Sequence, residues 1–240
     1  MPTRAPEAAA GRRARPSAGH GRFITFEGGE GAGKSTQVRR LAARLGELGI
    51  PVVVTREPGG SPGAEAIRHV LLAGAAKPLG PLAETALFAA ARADHLDSTI
   101  RPALAQGMWV LSDRFADSTR AYQGASGRVA AELIESLERV TVGATRPDLT
   151  LILDLPAEQG LARAAARSGA GADRFESESI TFHRTLRDSF LAIAAREPAR
   201  CVVIDASEPP DHVAEAIWRV VEDRLVPPNG SKPRQRRVST

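Results

Sequence analysis

The sequence predicts an α/β fold in which a five-stranded parallel sheet is flanked by helices on both faces. Short apolar runs alternate with longer stretches of helical periodicity from residue 23 onward, as in doubly wound sheets. A Gly-rich motif stands between the first apolar run and the first helical stretch. Of the 240 residues, 42% are hydrophobic, which is sufficient for one domain with its own core.

The apolar runs mark five strands, and the periodic stretches mark the helices between them. Strands are expected at 23–27, 51–55, 108–112, 149–154 and 201–205. Helices are expected at 34–48, 62–73, 80–105, 129–142, 157–167, 177–196 and 209–224. Because the strands are almost continuously apolar, both faces of the sheet should be buried, and ligands should bind at the carboxyl ends of the strands.

The motif after the first strand reads G-x-x-x-x-G-K-S over residues 28–35 and is typical of phosphate-binding loops. Its glycines let backbone N–H groups turn toward an anion, and the next helix adds the positive end of its dipole. Lys34 supplies charge for the β- and γ-phosphates, and the Ser35 hydroxyl is a Mg²⁺ ligand. The predicted ATP-binding residues are Gly28, Gly29, Glu30, Gly31, Ala32, Gly33, Lys34, Ser35 and Thr36. Strand, loop and helix together predict a P-loop NTPase fold.

Charged residues follow the second and third strands. Pro and Gly end the second strand and place Arg56 and Glu57 at its carboxyl end. Asp113 follows the third strand, where a second, water-mediated anchor for Mg²⁺ is expected, and Arg114 beside it is placed for a phosphate group. Polar and aromatic side chains then cluster at Ser118, Thr119, Tyr122, Gln123 and Gly124. This cluster favours a binding segment over a simple capped helix start.

The helix predicted at 80–105 has two distinct faces. Phe88, Arg92, His95 and Thr99 share one face, where a ring could stack on a base and an arginine could hold a phosphate group. Taken alone, a half-buried Phe and a solvated Arg is the simpler interpretation. The core face is expected to hold Leu82, Ala86, Ala89, Ala93, Leu96, Ile100 and Leu104.

Arginines flank a Gly- and Ala-rich segment after the fourth strand. Arg163 and Arg167 are one turn apart on the predicted helix, and Arg174 follows the segment 168–172. This pattern predicts a small mobile lid at about 163–176 that closes positive charge over phosphates. A surface hairpin decorated with charges is the alternative.

The positive charge of the chain is concentrated at its two ends. The formal net charge is +4, of which residues 1–21 carry +3 and residues 226–240 carry +4, leaving −3 for residues 22–225. Both end segments are rich in Pro, Gly, Ser and Arg, so they are predicted to be disordered basic tails. Weak binding of anionic surfaces by these tails is possible, but no specific nucleic acid is expected. The first tail also has a faint likeness to an organelle transit peptide.

Cysteine usage and hydropathy favour a cytoplasmic protein. Cys201 is the single cysteine, it has no His neighbour in sequence, and it is expected in the protein core, at the start of a buried strand. A reducing compartment fits this usage, and no apolar run is long enough to span a membrane.

Taken together, these stretches resemble the thymidylate kinase (dTMP kinase) family of nucleoside monophosphate kinases. The resemblance covers about residues 22–225 and rests on several separated motifs. They are the P-loop at 28–35, T-R-E-P-G-G at 55–60, L-F-A-A-A-R at 87–92, D-R-F at 113–115, A-Y-Q-G at 121–124 and R-P-D-L-T at 146–150. The resemblance implies phosphoryl transfer from Mg-ATP to dTMP for dTTP synthesis, in a cytoplasmic homodimer.

The resemblance also implies roles for residues that would bind dTMP. Phe88 would stack on the thymine ring, and Arg92 with Gln123 or Thr119 would read its polar edge. Tyr122 would lie under the deoxyribose and disfavour a 2′-hydroxyl.

The phosphate end of dTMP would be held by other residues of the same motifs. Glu30 would meet the sugar 3′-hydroxyl, and Arg114, helped by Arg56, would hold the monophosphate. The segment 205–207 would lie near adenine. Phe115 stands where tyrosine is common in the family.

The family divides by the position of its catalytic arginine. Some members carry it in the P-loop after the acidic residue, where this sequence has Gly31. The sequence therefore resembles the bacterial type, in which Arg163, Arg167 and Arg174 of the lid would join Lys34 and Arg114 as the catalytic residues. The mechanism would need no general base, because a phosphate monoester has a second pKa of about 6 and is already ionised.

Three other functions share at least one feature with the sequence. A GTPase switch needs an Asn-Lys-x-Asp motif, and none of the three lysines, Lys34, Lys77 and Lys232, stands in one. A sister kinase for another nucleoside or nucleotide would share the P-loop but differ in the base pocket. A nucleotide-binding regulator with nucleic-acid-binding tails would bind ATP without turnover.

Overall fold

The computed structural model describes residues 21–124, 129–167, 175 and 177–226. Its strands form one parallel sheet in the order β2-β3-β1-β4-β5. They are β1 (Phe23–Glu27), β2 (Val52–Arg56), β3 (Trp109–Asp113), β4 (Leu149–Asp154) and β5 (Cys201–Asp205). The five predicted strands are confirmed to within one residue. The P-loop strand β1 is central, so the residues after β3 and β4 lie on either side of the phosphate-binding loop.

The helices also follow the predicted order. They are α1 (Lys34–Glu47), α2 (Pro62–Leu72), α3 (Gly80–His95), α4 (Arg101–Ala105), α5 (Ala116–Thr119), α6 (Ala131–Thr141), α7 (Ala157–Arg167), α8 (Ile180–Arg196) and α9 (Pro210–Leu225). Ser179 caps α8, because its hydroxyl accepts a hydrogen bond from the Phe182 N–H at 3.2 Å. This cap explains why α8 begins three residues after the predicted start at 177.

Two π-helical turns depart from the sequence prediction. The expected single helix at 80–105 is interrupted over Leu96–Ile100, which separates α3 from α4. Another π turn, Arg120–Gly124, extends the short helix α5 in a segment for which no helix was predicted. Both segments contribute buried apolar side chains, such as Leu96, Ile100 and Ala121, so apolar periodicity does not distinguish these π turns from the structure around them.

Alternate residues of the central strands enter cores on opposite faces of the sheet. Ile24 and Phe26 of β1 pack with α1 and α9 in one cluster. Phe23 packs on the other face against the first π turn and α4, and α8 covers the end of the sheet that contains β5. Cys201 lies in this last cluster, and burial raises the pKa of its thiol to about 11, which confirms the expected core position.

The prediction of the core face is wrong for the first half of α3. Leu82 is 57% exposed, and Ala86 is also exposed. The face turned inward there carries Glu84 and Thr85 instead, and Thr85 lies against α6. Because this half of α3 packs on α2 and α6 rather than on the sheet, small and polar residues suffice at its contacts.

The predicted tails lie almost entirely outside the described residues, so their disorder stays a prediction. Among the described residues, none of the helices has the length and hydropathy that crossing a bilayer would require.

Candidate active site

A cavity of about 300 Å³ lies at the carboxyl ends of β1, β2 and β3. Its walls come from the P-loop, the loop after β2, the helix α3 and the segment after β3. The predicted site residues that line it are Glu30, Gly31, Gly33, Lys34, Ser35, Arg56, Phe88, Arg92, Asp113, Arg114, Thr119, Tyr122 and Gln123. The structure therefore brings five of the nine residues predicted for ATP into one cavity with those predicted for dTMP; the other four, which do not line it, are Gly28, Gly29, Ala32 and Thr36.

The P-loop holds its lysine against its own backbone. The Lys34 Nζ donates hydrogen bonds to the carbonyl oxygens of Gly28 at 3.1 Å and Gly29 at 2.7 Å. Burial lowers the pKa of Lys34 to about 8, and repulsion from Arg114 acts in the same direction, against the attraction of Glu30. A phosphate group entering the loop would replace the two carbonyl partners with a stronger, anionic one.

The two oxygen groups predicted for Mg²⁺ are in contact. The hydroxyl of Ser35, at the start of α1, donates a hydrogen bond to Oδ2 of Asp113, at the end of β3. A hydroxyl and a carboxylate are hard oxygen donors of the kind that Mg²⁺ prefers. The donor chemistry of the pair thus fits a divalent cation.

Glu30 is the charged centre of the cavity. Its Oε1 accepts hydrogen bonds from Nη2 of Arg114 at 2.7 Å and from the hydroxyl of Tyr122 at 2.6 Å. Burial alone would raise the pKa of Glu30, but the charges of Arg114 and Lys34 outweigh it and hold the pKa at about 2. Glu30 is therefore a carboxylate at any physiological pH.

Arg114 is held in an unusual backbone conformation. Its φ of 73° makes it the one non-glycine residue with positive φ in the described part of the chain. Its N–H donates to Phe26 O at 2.9 Å, and its carbonyl accepts from the Ser112 hydroxyl at 2.7 Å. The guanidinium carbon lies 4.9 Å from the centre of the Tyr122 ring. The strained turn thus aims the guanidinium at the P-loop side of the cavity.

Arg92 is buried rather than solvated, so the simpler interpretation of this residue is wrong. It is 4% exposed, and its Nε donates to Oε2 of Glu57 at 2.8 Å. Its Nη2 donates to Thr119 Oγ1 at 3.0 Å and to Phe115 O at 3.2 Å. A buried guanidinium with a fixed orientation and one edge in a cavity suits recognition of a polar ligand edge.

Comparisons with known proteins identify the family of the chain. A family model described as thymidylate kinase matches residues 26–217. The chain belongs to the thymidylate kinase family.

Individual relatives cover most of the chain. A thymidylate kinase of Bradyrhizobium diazoefficiens is 62% identical over 212 residues, which is 88% of this chain and 93% of the relative. One of Rhodopseudomonas palustris is 62% identical over 210 residues, covering 87% and 91%. The crystal structure of thymidylate kinase from Ehrlichia chaffeensis has a TM-score of 0.69 and 34% identity, covering 85% of this chain and all of that one.

Membership of the thymidylate kinase family makes the protein a phosphotransferase of the nucleoside monophosphate kinase class. The P-loop NTPase fold predicted from the sequence is also confirmed.

Of the three predicted lid arginines of this thymidylate kinase family member, Arg163 is the one whose side chain the structure describes, and it does not line the cavity. Arg163 on α7 donates to the carbonyls of Ala206 at 2.8 Å and Ser207 at 3.2 Å, in the loop expected near adenine. The Arg167 side chain and Arg174 lie outside the described residues. Their catalytic role stays a prediction.

Several cavity residues were not assigned a ligand contact, although one of them, Ser118, belongs to the segment predicted to bind. They are Glu57, Pro58, Arg68, Leu72, Phe115, Ser118 and Phe175. Arg68 reaches the cavity from α2, where its Nη1 donates to Pro58 O at 2.6 Å. Its position three residues after Glu65 on an amphipathic helix resembles an ordinary solvent-facing arginine, so the sequence offered no signal for it. Ser118 and Glu57 are adjacent in sequence to residues that were assigned a role. Only their position in the folded cavity marks them as part of the site.

The P-loop also touches the first turns of α7. Gly31 has a φ of 68°, and a Cβ built there would lie 2.0 Å from the Gly160 carbonyl oxygen. A Cβ on Gly160 would lie 2.3 Å from the Glu30 carbonyl oxygen. Glycine at both positions therefore permits a backbone-to-backbone approach that any side chain would prevent.

Proposed function

We propose that this enzyme transfers the γ-phosphoryl group of ATP to dTMP, with Mg²⁺ as its metal cofactor, and releases dTDP and ADP for dTTP synthesis. The observation that carries the proposal is the single cavity shared by the P-loop and by Phe88, Arg92 and Tyr122. Direct transfer between two nucleotides requires two adjacent sites that align donor and acceptor phosphates.

The acceptor half of the cavity suits a pyrimidine deoxynucleotide. Phe88 offers a ring face for stacking, and the fixed guanidinium of Arg92 offers donors for a carbonyl on the base. The ring of Tyr122 packs edge-to-face against Phe175 at 5.2 Å, so it forms a rigid wall under the sugar. Gln123 and Thr119 are the further candidates for the polar edge of the base, and Glu30 for the 3′-hydroxyl.

The reaction is an electrostatic problem more than a proton-transfer problem. The attacking oxygen of dTMP is already ionised near neutral pH, so the enzyme has to bring two polyanions together and neutralise the developing charge. Lys34 and Arg114 are the described cations at the junction of the two halves, with Arg56 at the rim. On binding ATP, Lys34 would exchange its hydrogen bonds to the loop carbonyls for bonds to phosphate oxygens. Its positive charge would then lie beside the group that is transferred.

Ser35 and Asp113 are the residues that would hold the metal ion. Bound Mg²⁺ supplies charge neutralisation between the β- and γ-phosphates. The Ser35 hydroxyl would serve as a direct ligand and the Asp113 carboxylate would act through water, as their contact across the P-loop allows.

Production of ADP from ATP and Mg²⁺ tests the proposal, measured against dTMP, dUMP, dGMP, dCMP, AMP and no acceptor. We expect strong turnover with dTMP, weaker turnover with dUMP and almost none otherwise, and loss of turnover on chelation of Mg²⁺. Preference for another monophosphate would assign the cavity to a sister reaction. ATP binding without any acceptor turnover would favour the regulator alternative and direct attention to the tails.

The lid arginines are proposed to complete the charge around the transferring group and to exclude water. Arg174→Ala is expected to lower kcat by about 10³-fold, on the scale of arginine fingers. Arg196→Ala removes an exposed arginine from α8 and serves as the matched control. The kcat values are measured by stopped-flow or by a coupled assay. Unchanged turnover in Arg174→Ala would contradict a catalytic role for Arg174.

We also propose a homodimer through the layer formed by α2, α3 and α6. The exposed residues Leu82, Ala86 and Ala90 follow one another at four-residue spacing on α3, and Val140 is 82% exposed on the adjacent α6. An apolar stripe of this kind suits a second copy of the chain. Light scattering should give twice the chain mass of 25.4 kDa, and Leu82→Glu should halve the measured mass.

The expected location is the cytoplasm, where ATP is available and Cys201 stays reduced.

A further inference from the structure

His95 is a fully buried histidine at the end of α3, with 0% of its surface exposed. Both ring nitrogens have partners on the β2 side of the cavity. Nδ1 lies 3.1 Å from Oε1 of Glu57, and Nε2 lies 2.6 Å from Oγ1 of Thr55. A neutral ring that donates from Nδ1 to the carboxylate and accepts at Nε2 from the threonine hydroxyl satisfies both contacts.

Glu57 connects this histidine to the predicted base-reading arginine. One carboxylate oxygen contacts His95, and the other accepts the 2.8 Å hydrogen bond from Nε of Arg92. The plane of a carboxylate is fixed once both of its oxygens are bound. Glu57 is therefore one of the groups that orient the Arg92 guanidinium, beside Thr119 and the Phe115 carbonyl, and it is the one that His95 orients in turn.

The surroundings of His95 are closely packed. A Cβ on Gly60 would lie 2.4 Å from His95 Nε2 and 2.3 Å from Thr55 Oγ1. The loop after β2 is also held to α3 and the π turn by independent bonds. The Asp94 carboxylate accepts from the Ser61 hydroxyl at 2.6 Å, and the Thr99 hydroxyl donates to Gly60 O at 2.8 Å.

We propose that His95 is a positioning residue for the acceptor nucleotide, and that it acts by fixing Glu57 and thereby the edge that Arg92 presents to the base. The inference rests on the proposed function, since it assumes that Arg92 contacts the base of dTMP. It predicts an effect on the acceptor alone, because the P-loop shares none of these contacts. A histidine that only fills the core would affect stability and both substrates together.

Two substitutions separate the contacts of the two ring nitrogens. In His95→Asn the side-chain nitrogen can occupy the place of Nδ1 and keep the bond to Glu57. In His95→Gln the nitrogen can reach the place of Nε2 and keep the bond to Thr55 while losing Glu57. Because a hydrogen bond to a charged group is lost, His95→Gln is expected to raise KM for dTMP by about tenfold. KM for ATP should stay within about twofold, and His95→Asn should recover most of the dTMP affinity.

A third variant covers the case in which His95→Gln does not fold. Thr55→Val keeps the volume of the side chain but removes the partner of Nε2, and should raise KM for dTMP about threefold with KM for ATP unchanged. The proposal is overturned if His95→Asn and His95→Gln raise KM for dTMP equally, if KM for ATP rises in parallel, or if Thr55→Val leaves KM for dTMP unchanged.

Wild-type turnover is measured first, so that failure of the proposed function can be distinguished from failure of the role proposed for His95. Absence of dTMP phosphorylation by the wild-type enzyme would contradict the proposed function. Normal wild-type turnover combined with any of the three contrary variant results would contradict the role of His95 alone.

Discussion

Glu27 is a buried carboxyl group at the end of β1, directly behind the P-loop. Its Oε1 accepts from the Phe115 N–H at 2.8 Å, and its Oε2 accepts from the Ser118 hydroxyl at 2.6 Å. Burial raises the pKa of Glu27 to about 8, and the nearby Asp117 adds to the rise. Because the native state keeps this proton and the unfolded chain releases it at about pH 4.5, Glu27 links folding to pH.

The linkage predicts the sign of a pH effect on stability. Between about pH 4.5 and pH 8 the native state binds more protons at Glu27 than the unfolded state, so this contribution to the free energy of unfolding falls as pH rises. Relative to Glu27→Gln, the wild type should lose up to about 1.4 kcal/mol per pH unit in this window. Urea denaturation at pH 5.5, 6.5 and 7.5 measures the difference, with the exposed Glu222→Gln as control. A pH-independent difference would contradict the raised pKa.

Individual site residues could be predicted from the sequence where the chemistry needs a fixed local pattern. Lys34 and Ser35 could be predicted from the P-loop motif. Asp113 and Arg114 could be predicted because they directly follow an apolar strand. The raised pKa of Glu27 could not be predicted in the same way, because it depends on burial in the folded protein and on Asp117, which is 90 residues away along the chain.

At the scale of elements, the contact of Gly31 with Gly160 joins the P-loop to α7, the helix that leads into the predicted lid. A methyl group on Gly160 would overlap the Glu30 carbonyl, so α7 would have to move away from the P-loop. Gly160→Ala is expected to destabilise the fold by about 2 kcal/mol and to raise KM for ATP several-fold.

The same substitution elsewhere provides the control. Gly46 lies in α1 with no atom within 4 Å of a built Cβ, so Gly46→Ala should stabilise the protein by about 0.5–1 kcal/mol. Chemical denaturation and ATP kinetics of both variants test the contact. Equal stabilisation by both substitutions would show that Gly160 is not packed against the P-loop in solution.

The order of elements could be predicted closely because apolar runs and helical periods are local signals. The π turns at 96–100 and 120–124 could not be predicted, because apolar periodicity does not distinguish a π turn from the helix or loop around it. The exposed stripe at Leu82 was also missed. Periodicity shows that a face is apolar, but it does not show whether the sheet or the surface of the subunit lies opposite.

At the scale of the whole molecule, Asp117 and Arg200 connect distant parts of the chain. The Arg200 guanidinium donates to both carboxylate oxygens of Asp117, at 2.6 and 3.1 Å, and to Thr150 Oγ1 on β4 at 2.7 Å. Arg120 donates to Asp117 and to Glu138 of α6. The network thus ties α5, α6, β4 and the segment before β5 together beneath the site.

Loss of Arg200 should therefore be costly. Arg200→Met leaves the buried Asp117 carboxylate with Arg120 as its remaining cationic partner among the described residues, and should lower the free energy of unfolding by about 3 kcal/mol. Arg184→Met breaks an exposed pair with Glu158 and should cost less than about 1 kcal/mol. Denaturant midpoints of the two variants test this contrast, and similar losses in both would contradict it. No sequence pattern predicts this pairing across 83 residues.

The glycine contact between the P-loop and α7 has an evolutionary consequence. Positions 31 and 160 are 129 residues apart, yet a side chain at one is compatible only with a displaced backbone at the other. A lineage that acquires a side chain at position 31 must first, or at the same time, move α7, the helix that leads into the predicted lid. The two positions should thus change together among relatives, and the transition between arginine in the P-loop and arginine in the lid should be rare and abrupt.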